Sequence, residues 1–158
     1  MPRVSFCIPN LDMAPYLERC VESCLAQRGF DALEVVVVDN RSSDESREIV
    51  ERLARRDRRV RLHVNEARLP MAANWNRSVE LARGEYVTLL CADDAQEPEF
   101  AATLAPLLDA HQELVYAFGE RHDIDLEDLV LTTHRFYAHS ALIPGLPRPR
   151  SRSPRTMR

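Results

Sequence analysis

Carboxylates stand at three places where a strand-like run of this chain stops. Val4–Ile8 is halted by Pro9-Asn10, with Asp12 close behind; Leu33–Val38 is halted by Asp39-Asn40; Tyr86–Cys91 is halted by Asp93-Asp94. In an open parallel sheet, ligands bind beyond the carboxyl ends of the strands, so these groups would meet along one edge. Like charges gathered that closely are costly unless protonated or bridged by a cation. A hard divalent ion, Mg²⁺ or Mn²⁺, is the natural bridge, because it prefers carboxylate oxygen and keeps positions open for phosphate oxygens. The chain has four glycines (Gly29, Gly84, Gly119, Gly145), and none lies in the turn after the first run. There is no G-x-G-x-x-G and no Walker A sequence, so a phosphorylated ligand would depend on a metal held by Asp. All 21 basic residues are Arg, which excludes Schiff-base chemistry on lysine.

The elements that must place these residues follow from patterning. Val4–Ile8 reads as a buried first strand, and Leu33–Val38, β-branched without alternation, as a central parallel strand covered on both faces. Between them, Pro15 suits a first helical turn, and Leu17, Val21, Cys24 and Leu25 recur at helical spacing up to Arg28-Gly29. Ser42 and Glu45 are spaced as a capping box for a second helix whose inner face is Ile49, Val50 and Leu53. Val60, Leu62 and Val64 make a third strand. A third helix runs from Met71 to Arg83 with Trp75, Val79 and Ala82 inward. Tyr86–Cys91 is a fourth strand, Phe100–Leu108 a fourth helix and Leu114–Phe118 a further strand. Alternation of this kind specifies βαβ units, hence an α/β fold with a mostly parallel sheet flanked by helices on both faces. Ile124–Leu131 reads as an edge strand or an irregular segment. The domain is expected over 1–143, and residues 144–158, with four Pro and five Arg and no periodicity, read as a disordered tail.

At 158 residues, 45% hydrophobic and 29% charged, one domain with a real core is expected. Residues 148–158 hold five Arg and no acid, which leaves 16 Arg against 25 Asp and Glu over 1–147. An acidic body argues against nucleic-acid partners and for a site that recruits cations. The Arg-rich stretch 52–61 spans a helix end and a strand, and reads as a solvated face. The four cysteines match no usual zinc spacing and read as reduced, small buried hydrophobes of a cytoplasmic protein. Peripheral contact of the basic tail with an acidic membrane face stands beside that expectation as a minor alternative.

The order Val4-Ser-Phe-Cys-Ile-Pro9, Glu34-Val-Val-Val-Val-Asp39-Asn-Arg-Ser-Ser-Asp44, Asn74-Trp-Asn76, Ala82-Arg-Gly-Glu-Tyr86 and Leu90-Cys-Ala-Asp-Asp94 resembles the family-2 glycosyltransferases of GT-A (Rossmann-like) fold. The resemblance covers about residues 3–130. It implies transfer of a sugar from a nucleotide-diphosphate donor (UDP-, GDP- or dTDP-linked) to a saccharide or lipid-linked acceptor hydroxyl, assisted by Mn²⁺ or Mg²⁺. By position, Pro9, Asn10, Leu11 and Asp12 match the loop against the nucleotide base, and Asp39 the carboxylate that accepts from the base. Asp93 and Asp94 match the acidic motif that binds the metal and through it the diphosphate. Arg68 and the Asn74–Arg77 stretch match the donor-sugar side.

The sequence departs from that family in three places: Cys91 stands where the first acid of Asp-x-Asp-Asp is usual, Leu11 where an aromatic is common, and Pro70 where a Gly is usual. A thiol does not replace a carboxylate towards Mg²⁺ or Mn²⁺. The general base of inverting members lies beyond the stretch corresponding to Leu114–Leu131, so here it is unassigned; His134, His139, Asp123, Asp125, Glu127 and Asp128 are the nearby candidates. The chain reads as a truncated form with the donor half intact. Two other readings stand beside transfer: a remnant that binds nucleotide sugar without turnover, and an unrelated α/β interaction module in which the edge carboxylates only terminate strands and cap helices.

Overall fold

In the computed structural model, residues 1–125 and 129–134 are described, together with the backbone of 155–157. Strands β1 (Val4–Asn10) and β2 (Leu33–Asp39) are buried at every position, as expected of parallel strands covered on both faces. They pair in parallel from Val4↔Leu33 to Asn10↔Asp39. Strand β3 (Val60–Val64) adds to β2, and β4 (Tyr86–Leu89) adds to β1 on the other side. The sheet continues through β8 (Arg155–Met157) to β5 (Tyr116–Ala117), with order β3-β2-β1-β4-β8-β5 and every pair parallel. A separate antiparallel ribbon joins β6 (Arg121–Ile124) to β7 (Val130–His134).

Strand pleat divides the helices between two faces. Val4, Phe6 and Ile8 of β1 and Leu33, Val35 and Val37 of β2 belong to one core. That core includes Leu17, Val21 and Cys24 of α1 (Ala14–Leu25), Ile49, Val50 and Leu53 of α2 (Ser46–Arg56), and Leu104, Ala105 and Leu108 of α4 (Phe100–Ala110). Burying each large side chain there contributes about 1.5–3 kcal/mol. The opposite face, with Cys7, Val36 and Val38, is covered by α3 (Met71–Glu80).

That second face is more polar. Glu34 is 4% exposed, and its carboxylate accepts from Ser5 Oγ (2.7 Å), the Arg83 backbone N–H (2.6 Å) and Arg61 (2.8 Å). Gly84 sits so close to β1 that a Cβ would lie 2.8 Å from Ser5 N and 2.9 Å from the Val4 carbonyl carbon.

Several expectations shift. The capping box does not form: α2 begins at Ser46 with Glu45 at its N-cap and no side-chain cap, because Ser42 is used elsewhere. On α3 the buried positions are Asn74 and Ser78, while Trp75 is half-buried, since this face meets a polar sheet surface. The expected tail, 144–158, lies mostly outside the described residues; within it Arg155–Met157 forms β8. A three-residue strand needs only backbone pairing, and the neighbouring edges of β4 and β5 supply it.

Candidate functional site

The carboxyl ends of β1 and β2 are laced together by short polar side chains. Asn10 Nδ2 donates to Asp39 Oδ1 (3.1 Å) and to Ser42 Oγ (3.0 Å). The Ser42 backbone N–H donates to Asp39 Oδ2 (3.1 Å), and Ser42 Oγ accepts from the Asp12 N–H (3.0 Å). Asp12 Oδ1 in turn accepts from the Ser43 N–H (2.6 Å) and hydroxyl (3.2 Å). Asp12 (φ 55°) and Arg41 (φ 64°) occupy the left-handed region, which costs each roughly 1–3 kcal/mol and persists because these bonds over-determine the two loops. Asp39 is 2% exposed, and its bond to Ser42 shows that it also terminates its strand as a turn residue. Asn10 Oδ1, by contrast, is buried and has no hydrogen-bond partner among the described residues.

Three asparagines tie the next loop to this corner. Asn40 Nδ2 donates to the Leu69 carbonyl (2.8 Å), and Asn40 Oδ1 accepts from the Leu69 N–H (2.8 Å). Asn65 Nδ2 donates to Asn40 Oδ1 (3.0 Å) and to Asn74 Oδ1 (2.8 Å). Asn74 is therefore turned inward, 4% exposed, and holds the loop beside exposed Arg68 instead of presenting itself at the surface.

The acidic corner follows β4. The Leu90 N–H donates to the Cys7 carbonyl (2.9 Å), after which the chain leaves the sheet. Cys91 Sγ and one carboxylate oxygen from each of Asp93 and Asp94 all lie within 4.8 Å of one another. From behind, Cys20 Sγ donates to the Cys91 carbonyl (3.4 Å). The loop beyond is fastened to the end of α1: Ser23 Oγ accepts from the Gln96 N–H (3.0 Å), and the Arg28 N–H donates to the Pro98 carbonyl (2.7 Å). Gln27 is 6% exposed; it donates to the Glu97 carbonyl (2.9 Å) and accepts from the Ala101 N–H (2.8 Å). Because α4 starts at Phe100 with Glu99 at its N-cap, Asp93 and Asp94 do not cap it.

Burial, and then the neighbouring charge of Asp93, push the Asp94 carboxyl above its usual range, with Arg121 opposing the rise. The Cys91 thiol is raised by burial and by the two carboxylates. A cation placed among the three would relieve both. The two carboxylates suit a hard divalent ion, while the thiol is a soft donor, so the set is mixed.

On the ribbon, His134 Nε2 and Asp123 Oδ2 are 2.7 Å apart, and Arg121 Nε stands 3.3 Å from Asp123 Oδ1. The bond to His134 holds the Asp123 carboxyl below its usual range. Of the candidates for an acceptor-side base, Asp123 and His134 thus meet each other, and Asp125 Oδ1 accepts from the Leu129 N–H (2.9 Å). Glu127, Asp128 and His139 lie outside the described residues. The residues that sequence reading passed over are Ser42 as a loop tie, Asn40 and Asn65, and Gln27. Polar side chains at the ends of apolar runs were the available signal.

The chain is similar to known proteins. A Haemophilus influenzae protein named an uncharacterized glycosyltransferase is 34% identical over 149 residues, 92% of this chain and 58% of that one. The structure of S. aureus TarS 1-349 in complex with UDP superposes with a TM-score of 0.66 at 23% identity, over 75% of this chain and 36% of that one. The mannosyltransferase PcManGT from Pyrobaculum calidifontis, in complex with GDP-Man and Mn²⁺, gives a TM-score of 0.61 at 30% identity, over 68% of this chain and 32% of that one. The chain thus spans 58% of the length of the Haemophilus relative and smaller shares of the others. The model of the family described as glycosyl transferase family 2 matches residues 5–156, and the chain belongs to that family, with a GT-A type fold.

Proposed function

We propose that this chain binds a nucleotide-diphosphate sugar at the carboxyl edge of its sheet and serves the transfer of that sugar to an acceptor hydroxyl with a divalent cation, Mn²⁺ or Mg²⁺. The observation that carries the reading is the convergence of Asp93 and Asp94 beyond β4, in a chain of this family whose relative PcManGT was solved with GDP-Man and Mn²⁺. Asp93 and Asp94 would hold the cation, which would supply charge stabilisation to the diphosphate as the acceptor hydroxyl displaces it from the anomeric carbon. The corner of Pro9, Asn10, Leu11, Asp12 and Asp39 receives the base. The buried, unpaired Asn10 Oδ1 gives it an acceptor for a base N–H, since an orphaned buried acceptor costs about 1–3 kcal/mol until a donor reaches it. Arg68 lies on the donor-sugar side, on the loop fixed by Asn40, Asn65 and Asn74. A cytoplasmic location belongs to the same proposal and rests on the four free thiols. Among the described residues, no helix is long and apolar enough to cross a membrane.

The test is a thermal unfolding series with UDP, GDP and dTDP, each with and without Mn²⁺, on the wild type and Asp93→Ala. Ligand at about 100 times its Kd stabilises the fold by roughly 2.7 kcal/mol. The expected result is a rise that needs both Mn²⁺ and one of the nucleotides and is absent in the variant. A cooperative transition that no combination moves contradicts the reading. Transfer is read separately, as release of nucleoside diphosphate that depends on an added acceptor. Binding without such release selects the non-catalytic reading.

A further inference from the structure

Cys91 occupies the first position of the acidic motif, and its sulfur does not stand aside from the two carboxylates. Ligand atoms around one cation, at ordinary bond lengths of about 2.0–2.3 Å, lie roughly 3.3–4.6 Å apart, from tetrahedral neighbours to opposed pairs. The Cys91 sulfur and one oxygen from each of Asp93 and Asp94 all lie within 4.8 Å of one another, near enough for side-chain rotation to bring the three onto one ion. The segment is fixed from behind by the Cys20 thiol on the Cys91 carbonyl and from the side by the ties of Ser23 and Gln27. The thiol is half-buried beside its ligand partners, while Cys7, Cys20 and Cys24 have 0% exposure and lie within the core. Thiolate sulfur favours the zinc class of cations and is a poor ligand for magnesium.

Resting on the donor-site reading above, we infer that Cys91 is a metal ligand that sets the cation preference of this site, giving Asp93 and Asp94 a third, soft donor and shifting selection from Mg²⁺ towards Zn²⁺-class ions. On binding, the thiol proton leaves to solvent and a sulfur–metal bond forms. Three protein ligands leave coordination positions open, which diphosphate oxygens would fill.

The experiment uses Cd²⁺ as a spectroscopic stand-in for Zn²⁺, because a thiolate–Cd²⁺ bond gives an ultraviolet charge-transfer band that carboxylates do not. Cd²⁺, Mn²⁺ and Mg²⁺ are titrated into the reduced full chain and into Cys91→Ser, Cys91→Asp and Asp93→Asn, reading both the band and bound metal. The expected result is one band per bound Cd²⁺ in the wild type, lost in Cys91→Ser together with at least about tenfold in Cd²⁺ affinity, with Mg²⁺ affinity unchanged. Cys91→Asp should reverse the preference by strengthening Mg²⁺ and Mn²⁺.

Cd²⁺ bound without a band, or a band that survives Cys91→Ser, overturns the inference. If Mn²⁺ and nucleotide still bind in an Asp93-dependent way, the donor-site reading stands while this one falls. If no divalent ion binds to the folded wild type, both fall. Retained cooperative unfolding in each variant shows that a lost band reports the ligand and not the fold.

Discussion

Asn65 is the joint between the β2 loop and α3, and replacing it gives a test of how the donor-side loop is held. Its Nδ2 donates to Asn40 Oδ1 at 3.0 Å and to Asn74 Oδ1 at 2.8 Å, and the residue is 5% exposed. In Asn65→Leu, an apolar group of similar size excludes water from the gap. Asn40 Oδ1 keeps the Leu69 N–H, whereas Asn74 Oδ1 loses its donor. The lost bond to Asn40, at roughly 1 kcal/mol, plus an orphaned acceptor on Asn74 at about 1–3 kcal/mol, predict a loss of about 2–4 kcal/mol. For a chain of this size that is a fall in Tm of roughly 5–15 °C.

Asn65→Asp keeps the shape and turns the donor into an acceptor facing two carbonyl oxygens, so it should cost at least as much. Asn65→Leu and Asn74→Leu share the same broken bond, and a double-mutant cycle on unfolding free energies should show a coupling of about 1 kcal/mol or more. Either Asn65 variant within about 0.5 kcal/mol of wild type, the scatter of ordinary surface changes, would refute the network as described. Additive costs would do the same.

Other sites give independent tests. Gly84→Ala puts a methyl against backbone atoms of Val4 and Ser5 that have no room to move, and should cost about 3 kcal/mol in urea unfolding; a neutral outcome would mean the α3–β4 turn is not seated on β1 as described. Gln27→Ala removes the bonds to Glu97 and Ala101, and is expected to lower stability by about 1–3 kcal/mol and to weaken Mn²⁺-dependent nucleotide binding in calorimetry. The hydrogen bond from Arg59 holds the Asp57 carboxyl below its usual range. Its stabilising contribution is therefore present above the unfolded value near pH 3.9 and is lost as pH falls through the lowered folded value. The stability difference between wild type and Asp57→Asn, about 1 kcal/mol near neutrality, should shrink in acid; a difference that grows in acid contradicts the sign.

The sheet was legible because β1 and β2 are buried on both faces, and burial of that kind leaves an unbroken apolar run that nothing else in a chain this size explains. The acidic corner was legible for a related reason: Asp93-Asp94 ends such a run abruptly. What stayed hidden depends on long-range polar contacts. Ser42 and Glu45 carry the spacing of a capping box, yet Ser42 is drawn to Asn10 and Asp12, more than 29 residues away, and α2 starts later. Trp75 looks like a core anchor by size, but α3 lies on the face carrying Ser5 and Glu34, where Asn74 and Ser78 fit better. The ribbon of β6 and β7 has little burial to announce it, since Leu129, Val130 and Leu131 are each more than half exposed. Its pairing brings Asp123 to His134 without any helical or strand periodicity that marks either residue.

The most direct measurement of the central claim is calorimetric titration of UDP and GDP into the wild type and into Asp93→Asn, with Mn²⁺ present and with all divalent ions chelated. The account predicts saturable binding of one nucleotide that weakens by at least about tenfold, or 1.4 kcal/mol, when either the cation or the Asp93 carboxylate is removed, and by no further step when both are. Equal binding with and without Mn²⁺, or Mn²⁺-dependent binding untouched by Asp93→Asn, would place the nucleotide somewhere other than the acidic edge of the sheet.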